Sequence, residues 1–351
     1  MARALDLAWR GWGRVHPNPL VGAVVLADGE LVGEGWHAEF GGPHAEPVAL
    51  AAAGERARGA TLVVTLEPCA HQGKQPPCVD AVLAAGIRRV VVALADPHPA
   101  ARGGAERLRA AGLEVEIGLL GDAAAAQNAR FLHQLKRTGR PWVALKLATS
   151  LDHRIADAAG RSKWISGPEA RAWTQWLRAG FDAIAVGGRT ALADDPLLTV
   201  RGATVPRVAP RRVVFSPQAL LAPGSSLVRT AREVPLTVVA DPAAQPERLA
   251  ALEAAGVHLV LASRIAEGLE RLHAQGVEAV LVEGGGRLAG ALVQEELLDR
   301  YYWVQSPLWL GDAAVRATAG IAPRPLEDAD RWRVVERRAL GPDTLLVVDR
   351  P

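Results

Sequence analysis

Short apolar runs alternate with alanine-rich or amphipathic segments along the whole chain of 351 residues. The stretch VGAVVLADGELVGEGWH (21–37) predicts a hairpin, because two apolar runs flank a turn at Asp28-Gly29. Strands and helices then alternate, with predicted strands over 61–66 and 88–94 and predicted helices over 46–57 and 77–86. The first part of the chain is therefore expected to be a three-layer α/β domain with mostly parallel strands.

A second alternating set follows the polar segment LKRTGRP (135–141), whose Gly and Pro indicate a domain boundary. We assign residues 1–139 to a first domain and residues 140–351 to a second. The second domain has a predicted helix over 168–180 and predicted strands over 142–149, 182–187, 211–216, 235–240, 258–263 and 278–285. RYYWVQSPLWLG and LLVVD, near the end of the chain, are expected to be edge strands that close the sheet.

Composition narrows the class of protein. Hydrophobic residues make up 49% and charged residues 22% of the chain, as in ordinary globular proteins. No apolar run reaches the length of a membrane span, and the N-terminus lacks the features of a signal peptide, so we expect a cytoplasmic protein without a membrane partner. The net charge is +2 and the basic residues are scattered, which argues against a nucleic-acid partner.

The chain has two cysteines, and both lie in TLEPCAHQGKQPPC (65–78). In a reducing cytoplasm they favour a metal or catalytic role over a disulfide. Zn²⁺ prefers thiolate and imidazole ligands, and a catalytic site uses three protein ligands and leaves a fourth position for water. PHAEP (43–47) supplies a nearby imidazole and carboxylate at the start of a predicted helix. We therefore predict a zinc site with the ligands His44, Cys69 and Cys78.

Glu46 is the predicted catalytic carboxylate of this site. A His-x-Glu sequence followed by Glu-Pro-Cys resembles the zinc nucleobase deaminases, in which the Glu moves protons and is not a ligand. Glu46 would take a proton from the activated water that attacks an amino-bearing ring carbon, and would then protonate the departing ammonia. The alternative is a structural zinc site, for which His71 could provide a fourth ligand.

The insert AHQGKQPP separates the two cysteines, whereas two residues commonly separate the cysteines of deaminases. The stretch resembles the corresponding one in the bifunctional riboflavin-biosynthesis deaminase/reductase family. Further matches follow the family's order along nearly the whole chain: HPNPLVGAVV (16–25), GEGWH (33–37), ADPHP (95–99), LKLATSLDHRIA (145–156), SKWISGPEAR (162–171), TALADDPLLTVR (190–201) and VEGGGRLAGALV (282–293). The resemblance implies an N-terminal cytidine-deaminase-like three-layer α/β/α domain and a C-terminal dihydrofolate-reductase-like α/β domain. It also implies one Zn²⁺ in the first domain and NADPH in the second.

By resemblance, the first domain hydrolytically deaminates 2,5-diamino-6-(5-phosphoribosylamino)pyrimidin-4(3H)-one. The implied substrate positions are Asn18, His71 and Lys74. His71 and Lys74 suit a phosphorylated substrate, and the carboxamide of Asn18 suits the donors and acceptors of a ring. A turn role for Asn18 and a solvated loop around Lys74 are the alternatives, and His16 and His37 are left undecided.

The second domain is expected to reduce the ribosyl group of the deaminated product to a ribityl group. Gly284-Gly285-Gly286 lies between a predicted strand and a predicted helix, where bare backbone amides can bind a pyrophosphate, although a tight turn has the same pattern. We assign cofactor binding to Ala148, Trp164, Thr190, Asp194, Ser216, Gly285, Gly286, Arg287, Leu288, Ala289, Gly290 and Ala291. We assign substrate binding to Lys146, Ser162, Arg178, Leu198, Arg201 and Glu283.

Three points about the second domain stay open at the level of sequence. Arg178 and Arg201 suit the 5′-phosphate, because guanidinium binds phosphate bidentately. Lys146 or Asp194 could supply the proton of the reduction. The family usually has Gly where this chain has His153, so the imidazole would crowd the sugar pocket or require a different backbone angle.

Two other functions compete with this interpretation. One is a zinc deaminase of another nucleotide, or of a base in RNA, with an inactive or regulatory second domain. The other is a nucleotide-binding module that carries a structural zinc ion. The resemblance to this family also implies that the protein is a homo-oligomer.

Overall fold

The computed structural model describes residues 1–98 and 101–350, so Pro99, the last residue of the ADPHP motif, lies outside the described residues. The chain divides into two units. Unit 1 comprises Met1–Lys136 and Pro206–Val208, and unit 2 comprises Arg137–Val205 and Ala209–Pro351.

Unit 1 is built around a five-stranded sheet in the order β2-β1-β3-β4-β5. Its strands are β1 Gly22–Ala27, β2 Glu30–Trp36, β3 Thr61–Leu66, β4 Arg89–Leu94 and β5 Glu114–Ile117. Its helices are α1 Ala2–Ala8, α2 Ala45–Ala53, α3 Cys78–Ala84, α4 Gly104–Ala110, α5 Gly121–Gln127 and α6 Ala129–Leu135. The predicted strands and helices of this region are confirmed, with shifts of a few residues at their ends.

The predicted hairpin is formed by β1 and β2. Asp28 and Gly29 have φ values of 51° and 83°, and a two-residue turn of this type needs positive φ at both positions. The expectation of mostly parallel strands is wrong for unit 1, because β1 pairs antiparallel with both β2 and β3. Only β3, β4 and β5 run parallel.

Close packing of α2 against β2 positions the start of that helix. A Cβ atom at Gly33 would collide with the Ala49 carbonyl oxygen, and one at Gly35 would collide with the Ala45 carbonyl oxygen. Glycine at both positions therefore lets the helix backbone approach the strand. The first turn of α2, which carries Glu46, is fixed against the sheet as a result.

Unit 2 contains a nine-stranded sheet in the order β11-β10-β9-β8-β12-β6-β13-β16-β15, and β7 and β14 form a separate pair. Its strands are β6 Trp142–Thr149, β7 Arg154–Ala156, β8 Ala183–Gly187, β9 Arg211–Phe215, β10 Leu236–Ala240, β11 His258–Leu261, β12 Ala279–Glu283, β13 Arg300–Gln305, β14 Val315–Arg316, β15 Arg333–Leu340 and β16 Asp343–Asp349. Its helices are α7 Pro168–Arg178, α8 Gly188–Asp194, α9 Ser226–Arg229, α10 Pro246–Ala254, α11 Ile265–Ala274 and α12 Gly286–Gln294.

The strands from β11 to β13 are parallel to one another. Their carboxyl ends therefore meet at one edge of the sheet, where α/β proteins bind ligands. The prediction that the last strands lie at the edge is wrong. β13 lies between β6 and β16, β16 lies between β13 and β15, and the edge is formed by β15. Within the described residues, no helix combines the length and apolarity needed to cross a bilayer.

Candidate active sites

The predicted zinc ligands of unit 1 come together in the structure. Nδ1 of His44 lies 3.2 Å from Sγ of Cys78 and 3.7 Å from Sγ of Cys69, and the three ligand atoms lie within 4.8 Å of one another. Atoms bound to one zinc ion at bond lengths of about 2.0–2.3 Å in tetrahedral geometry are separated by roughly 3.3–3.8 Å. The donor set and its spacing therefore fit Zn²⁺.

Local structure explains how residues distant in sequence meet at this point. His44 is the N-cap of α2, Cys78 is the first residue of α3, and Cys69 lies in the loop that follows β3. His71 does not belong to the group of potential ligands in the described part of the chain. The alternative of a structural zinc with His71 as fourth ligand is therefore not supported.

Electrostatics favours a cation among these ligands. A hydrogen bond from the Cys78 thiol lowers the pKa of Cys69 to about 4, so that Cys69 carries a thiolate. The hydrogen bond between His44 and the Cys69 sulfur raises the pKa of His44. A site that holds a thiolate before any ion arrives is suited to a divalent metal.

Glu46 faces the same cavity and is only 3% exposed. Burial raises the pKa of its carboxyl group. A carboxyl group with a raised pKa exchanges protons more readily near neutral pH than an exposed one does. Glu46 is thus placed to act as both acceptor and donor beside the ligand group.

A short hydrogen-bond chain orients Asn18. Nδ1 of His37 lies 2.9 Å from the Pro43 carbonyl oxygen, which can only accept, so Nδ1 carries the proton. Nε2 of His37 then accepts from the Asn18 amide nitrogen at 3.1 Å. Burial lowers the pKa of His37, which keeps this tautomer neutral. The Asn18 carboxamide oxygen is therefore free to accept a hydrogen bond from a ligand.

The unit 1 cavity, of about 300 Å³, is lined by most of the predicted site residues: Asn18, His44, Glu46, Cys69, His71 and Lys74. The ammonium of Lys74 lies 4.0 Å from the ring centroid of Phe40, a cation–π contact at the same cavity. His37, which the sequence left undecided, and Phe40, which the sequence did not single out, belong to this site.

Glu67 is a further residue that the sequence analysis did not single out. Its carboxylate accepts hydrogen bonds from the backbone N–H groups of Asp96, Gly103 and Ala105 at 2.8 to 3.1 Å. Glu67 and Asp96 both line the cavity, so this carboxylate fixes part of the cavity wall. Its place in TLEPC, directly after β3, was the available signal.

Unit 2 has a much larger cavity, of about 1760 Å³, at the carboxyl ends of its parallel strands. All six predicted substrate residues line it: Lys146, Ser162, Arg178, Leu198, Arg201 and Glu283. Most predicted cofactor residues line it as well: Ala148, Trp164, Thr190, Asp194, Ser216, Gly285, Gly286, Arg287, Leu288 and Ala291. Ala289 and Gly290 do not. Ala289 is fully buried in the core and Gly290 packs against the Ala319 backbone, so a cofactor role for these two is not supported.

The glycine-rich turn between β12 and α12 has the geometry of an anion-binding loop. Gly284 and Gly285 have φ values of 73° and 86°, a region that favours glycine. A Cβ atom at Gly285 would lie 2.9 Å from Oγ1 of Thr190, and one at Gly286 would collide with the Arg316 carbonyl oxygen. The turn thus leaves its backbone bare toward the cavity and fits the pyrophosphate of NADPH.

Charged side chains converge beside this turn, at the end of β12. The guanidinium of Arg178 donates to both oxygens of Glu283 at 2.7 Å and to the Thr199 carbonyl oxygen at 2.8 Å. The phosphate clamp predicted for Arg178 is therefore not supported, because its donors hold Glu283 instead. Arg201 lines the cavity and its guanidinium makes no hydrogen bond or ion pair with the described residues, so it is the better phosphate partner.

Electrostatics sets the charge states in this cluster. Burial would raise the pKa of Glu283, but the nearby charges of Arg178 and Lys146 outweigh burial and lower it. Burial lowers the pKa of Lys146, an effect that the charge of Glu283 partly offsets. Glu283 is therefore ionised, and Lys146 is a stronger acid than an exposed lysine.

The loop before α7 lines another wall of the unit 2 cavity. The Ser162 hydroxyl donates to Asp194 at 3.3 Å, which joins a predicted substrate residue to a predicted cofactor residue. Trp164 is 69% exposed, and its ring contacts the Arg171 guanidinium at 4.7 Å. An indole this exposed offers a flat apolar surface to a ligand.

His153 shows neither consequence expected from the sequence, because it adopts a backbone angle typical of glycine and lies outside the cavity lining. Its φ is 59°, in the left-handed region where glycine is normally preferred. Its ring contacts Trp303 edge-on at 5.2 Å, and it is not among the residues that line the cavity. The imidazole is thus accommodated outside the cavity.

Comparisons with known proteins identify a family for each of the two units. Residues 1–94 match the family described as the cytidine and deoxycytidylate deaminase zinc-binding region, and residues 141–346 match the RibD C-terminal domain. Riboflavin biosynthesis protein RibD of Escherichia coli is 41% identical, over 99% of this chain and 97% of its own length.

Two solved structures show the same similarity. RibD of Acinetobacter baumannii is 36% identical with a TM-score of 0.78. The diaminohydroxyphosphoribosylaminopyrimidine deaminase/5-amino-6-(5-phosphoribosylamino)uracil reductase of Thermotoga maritima is 33% identical with a TM-score of 0.81. Each comparison covers 100% of this chain and 97% of the other.

Proposed function

Because the chain belongs to the RibD family of riboflavin-biosynthesis enzymes, we propose that unit 1 deaminates 2,5-diamino-6-(5-phosphoribosylamino)pyrimidin-4(3H)-one and that unit 2 reduces the product with NADPH. The observation that carries the proposal is the group of His44, Cys69 and Cys78, with the buried carboxyl of Glu46 at the same cavity.

The residues of unit 1 support each requirement of a hydrolytic deamination. Zn²⁺ held by the three ligands would supply Lewis acidity to a water molecule. Glu46 takes a proton from that water and delivers it to the departing amino group. Asn18, oriented by His37, accepts a hydrogen bond from the pyrimidine. The ammonium of Lys74 binds the phosphate of the substrate at the mouth of the cavity.

The residues of unit 2 support a hydride reduction. NADPH, when bound, supplies the hydride for the sugar carbon C1′. Lys146 is the better candidate for the proton donor, because burial lowers its pKa and Glu283 lies beside it. Asp194 is instead engaged by the Ser162 hydroxyl. Arg201 binds the 5′-phosphate of the substrate.

The test of the deaminase assignment is the substitution Glu46→Gln. It keeps the shape of the side chain and removes its proton chemistry, so we expect normal zinc content and a loss of ammonia release by at least about 10³-fold. Glu55→Gln is the matched control, because Glu55 is an exposed carboxylate in the turn that follows α2. For each variant, mass spectrometry would measure the zinc content and would identify the product of the reaction. A Glu46→Gln protein that deaminates at the wild-type rate would exclude the mechanism.

The proposal also includes the cellular compartment and the oligomeric state of the protein. Both cysteines are free, and thiols that must bind zinc need a reducing compartment, which favours the cytoplasm. A homo-oligomer and the absence of a nucleic-acid partner stay predictions. Size-exclusion chromatography with light scattering would measure the first.

A further inference from the structure

The unit 2 cavity extends well beyond the glycine-rich turn, to residues that carry no assigned role. We propose that Arg264, at the start of α11, binds the phosphate monoester on the adenosine ribose of the dinucleotide, and so sets the preference for NADPH over NADH. The inference rests on the proposed reductase function of unit 2.

Strand order determines the direction in which the dinucleotide lies. Lys146 and Glu283 are partners in the β6–β12 register and line the substrate end of the cavity. The glycine-rich turn follows β12. With the substrate on the β6 side, the adenosine half has to extend from the turn toward β8, β9 and β10.

Arg264 is the cation at that far end. Among the described residues from 211 to 265 that line the cavity, Arg264 is the one charged side chain. Its guanidinium is exposed and makes no hydrogen bond or ion pair with the described residues. The nearby Glu267 carboxylate is already engaged by the Ser263 backbone N–H at 3.0 Å and by Arg271 at 2.7 Å. Arg264 therefore has its donors available for a phosphate.

Helix packing brings Arg264 within reach. A Cβ atom at Gly268 would lie 2.7 Å from Cγ1 of Val239 and 3.5 Å from the Phe215 ring, so α11 crosses back over β10 and β9. Gly268, one turn into α11, thus lies over β9 and β10, which are two and three strand spacings, roughly 10–15 Å, from β12. The Ser216 hydroxyl, at the end of β9, accepts from the Leu220 N–H and retains its own proton to donate.

Two other arginines at the cavity occupy a different position. Arg189 and Arg287 follow the first residues of α8 and α12, beside Gly188 and Gly286. At that place they would contact the pyrophosphate, which NADPH and NADH share. Their removal would weaken both dinucleotides alike, whereas loss of Arg264 would weaken only the one with the extra phosphate.

The experiment compares NADP⁺ and NAD⁺ binding to the full-length, zinc-loaded protein by titration calorimetry. We expect Arg264→Gln to reduce the wild-type preference for NADP⁺ by about 10- to 100-fold, the range for loss of a charge-assisted hydrogen bond. Arg264→Lys should retain part of the preference. Arg189→Gln is the matched control, and its ratio of the two dissociation constants should stay within about 2-fold of wild type. The ³¹P resonance of the bound 2′-phosphate should also show a higher pKa in Arg264→Gln.

The outcomes separate this inference from the proposed function. An unchanged ratio in Arg264→Gln, or a ratio altered by Arg189→Gln instead, overturns the role of Arg264 while leaving the reductase in place. Wild-type protein that binds neither dinucleotide overturns the reductase function, and the inference with it. Circular dichroism of each variant checks the fold, which an exposed side chain such as Arg264 is not expected to affect.

Discussion

The ion pair between Arg178 and Glu283 shows how one residue determines the chemistry of another. Both side chains are largely buried, with 11% and 14% of their surfaces exposed. A buried carboxylate without a cation would take up a proton. Arg178 therefore keeps Glu283 ionised, and the ionised Glu283 in turn favours the charged form of Lys146.

Removal of Arg178 is expected to destabilise unit 2. Arg178→Met removes the ion pair of the buried Glu283 carboxylate and leaves it the weaker interaction with Lys146, which costs about 3–5 kcal/mol of unfolding free energy at neutral pH. Arg201→Met, also at the cavity but exposed, should change it by less than about 0.5 kcal/mol. Urea unfolding of the full-length variants measures both. Equal stabilities of the two variants would show that the ion pair contributes nothing.

The same substitution has a predictable pH dependence. The pKa of Glu283 in the folded protein lies below its ordinary value of 4.5. Its contribution to stability is therefore complete above that pH and is lost as pH falls through the lowered pKa. In Arg178→Met, protonation of Glu283 relieves the penalty. The stability difference from wild type should therefore shrink as pH falls below about 4.5. A difference that stays constant from pH 7 to pH 3 would contradict this assignment of the charges.

At the scale of elements, the glycine-rich turn works because neighbouring segments approach its backbone closely. Gly286 begins α12 directly beneath the Arg316 carbonyl oxygen, and Gly285 lies next to Thr190. These contacts come from β14 and α8, both distant in sequence. The turn is therefore held by tertiary contacts and not by its own sequence alone.

A single methyl group in this turn should disturb cofactor binding. In Gly286→Ala the new Cβ would collide with the Arg316 backbone, so the turn must shift, at a cost of about 1–3 kcal/mol. We expect the dissociation constant for NADP⁺ to rise by at least about 10-fold. Gly224→Ala is the control, because no atom lies within 4 Å of its added Cβ. Calorimetric titration measures both, and an unaltered affinity in Gly286→Ala would show that the turn does not contact the cofactor.

The elements that could be predicted are those whose burial leaves a clear periodicity. β6 and β3 are mostly apolar and almost entirely buried, and their predicted bounds agree with the structure. β15 was missed because half of the residues in RVVERRAL are charged and most are exposed. An edge strand of this kind is stabilised by its pairing with β16, which no local pattern reveals.

The site residues divide in the same way. Cys69, Cys78 and His44 could be predicted because zinc restricts the residue types that bind it. The ion-pair partner of Arg178 could not be predicted, because Glu283 lies 105 residues away and approaches Arg178 only in the folded sheet. The burial of Ala289 could not be predicted either, because tertiary packing determines which side of α12 faces the core.

At the scale of the whole molecule, each cavity is built from residues of a single unit. The unit 1 cavity is lined by residues between Asn18 and Phe131, and the unit 2 cavity by residues between Lys146 and Ala319. The potential metal group lies in unit 1. The chemistry of unit 2, which depends on Lys146, Glu283 and NADPH, needs no metal-binding residue from that group.

Removal of zinc should therefore separate the two activities. Treatment with a chelator withdraws the ion from His44 and the two thiolates, so ammonia release from the diaminopyrimidinone substrate should fall to background and return when Zn²⁺ is added. Oxidation of NADPH in the presence of the already deaminated substrate should continue at more than half its initial rate. Absorbance at the NADPH band follows this second reaction directly. Parallel loss of both activities in the chelated protein, with the fold intact by circular dichroism, would mean that unit 2 depends on the metal of unit 1 and that the two sites are not chemically independent.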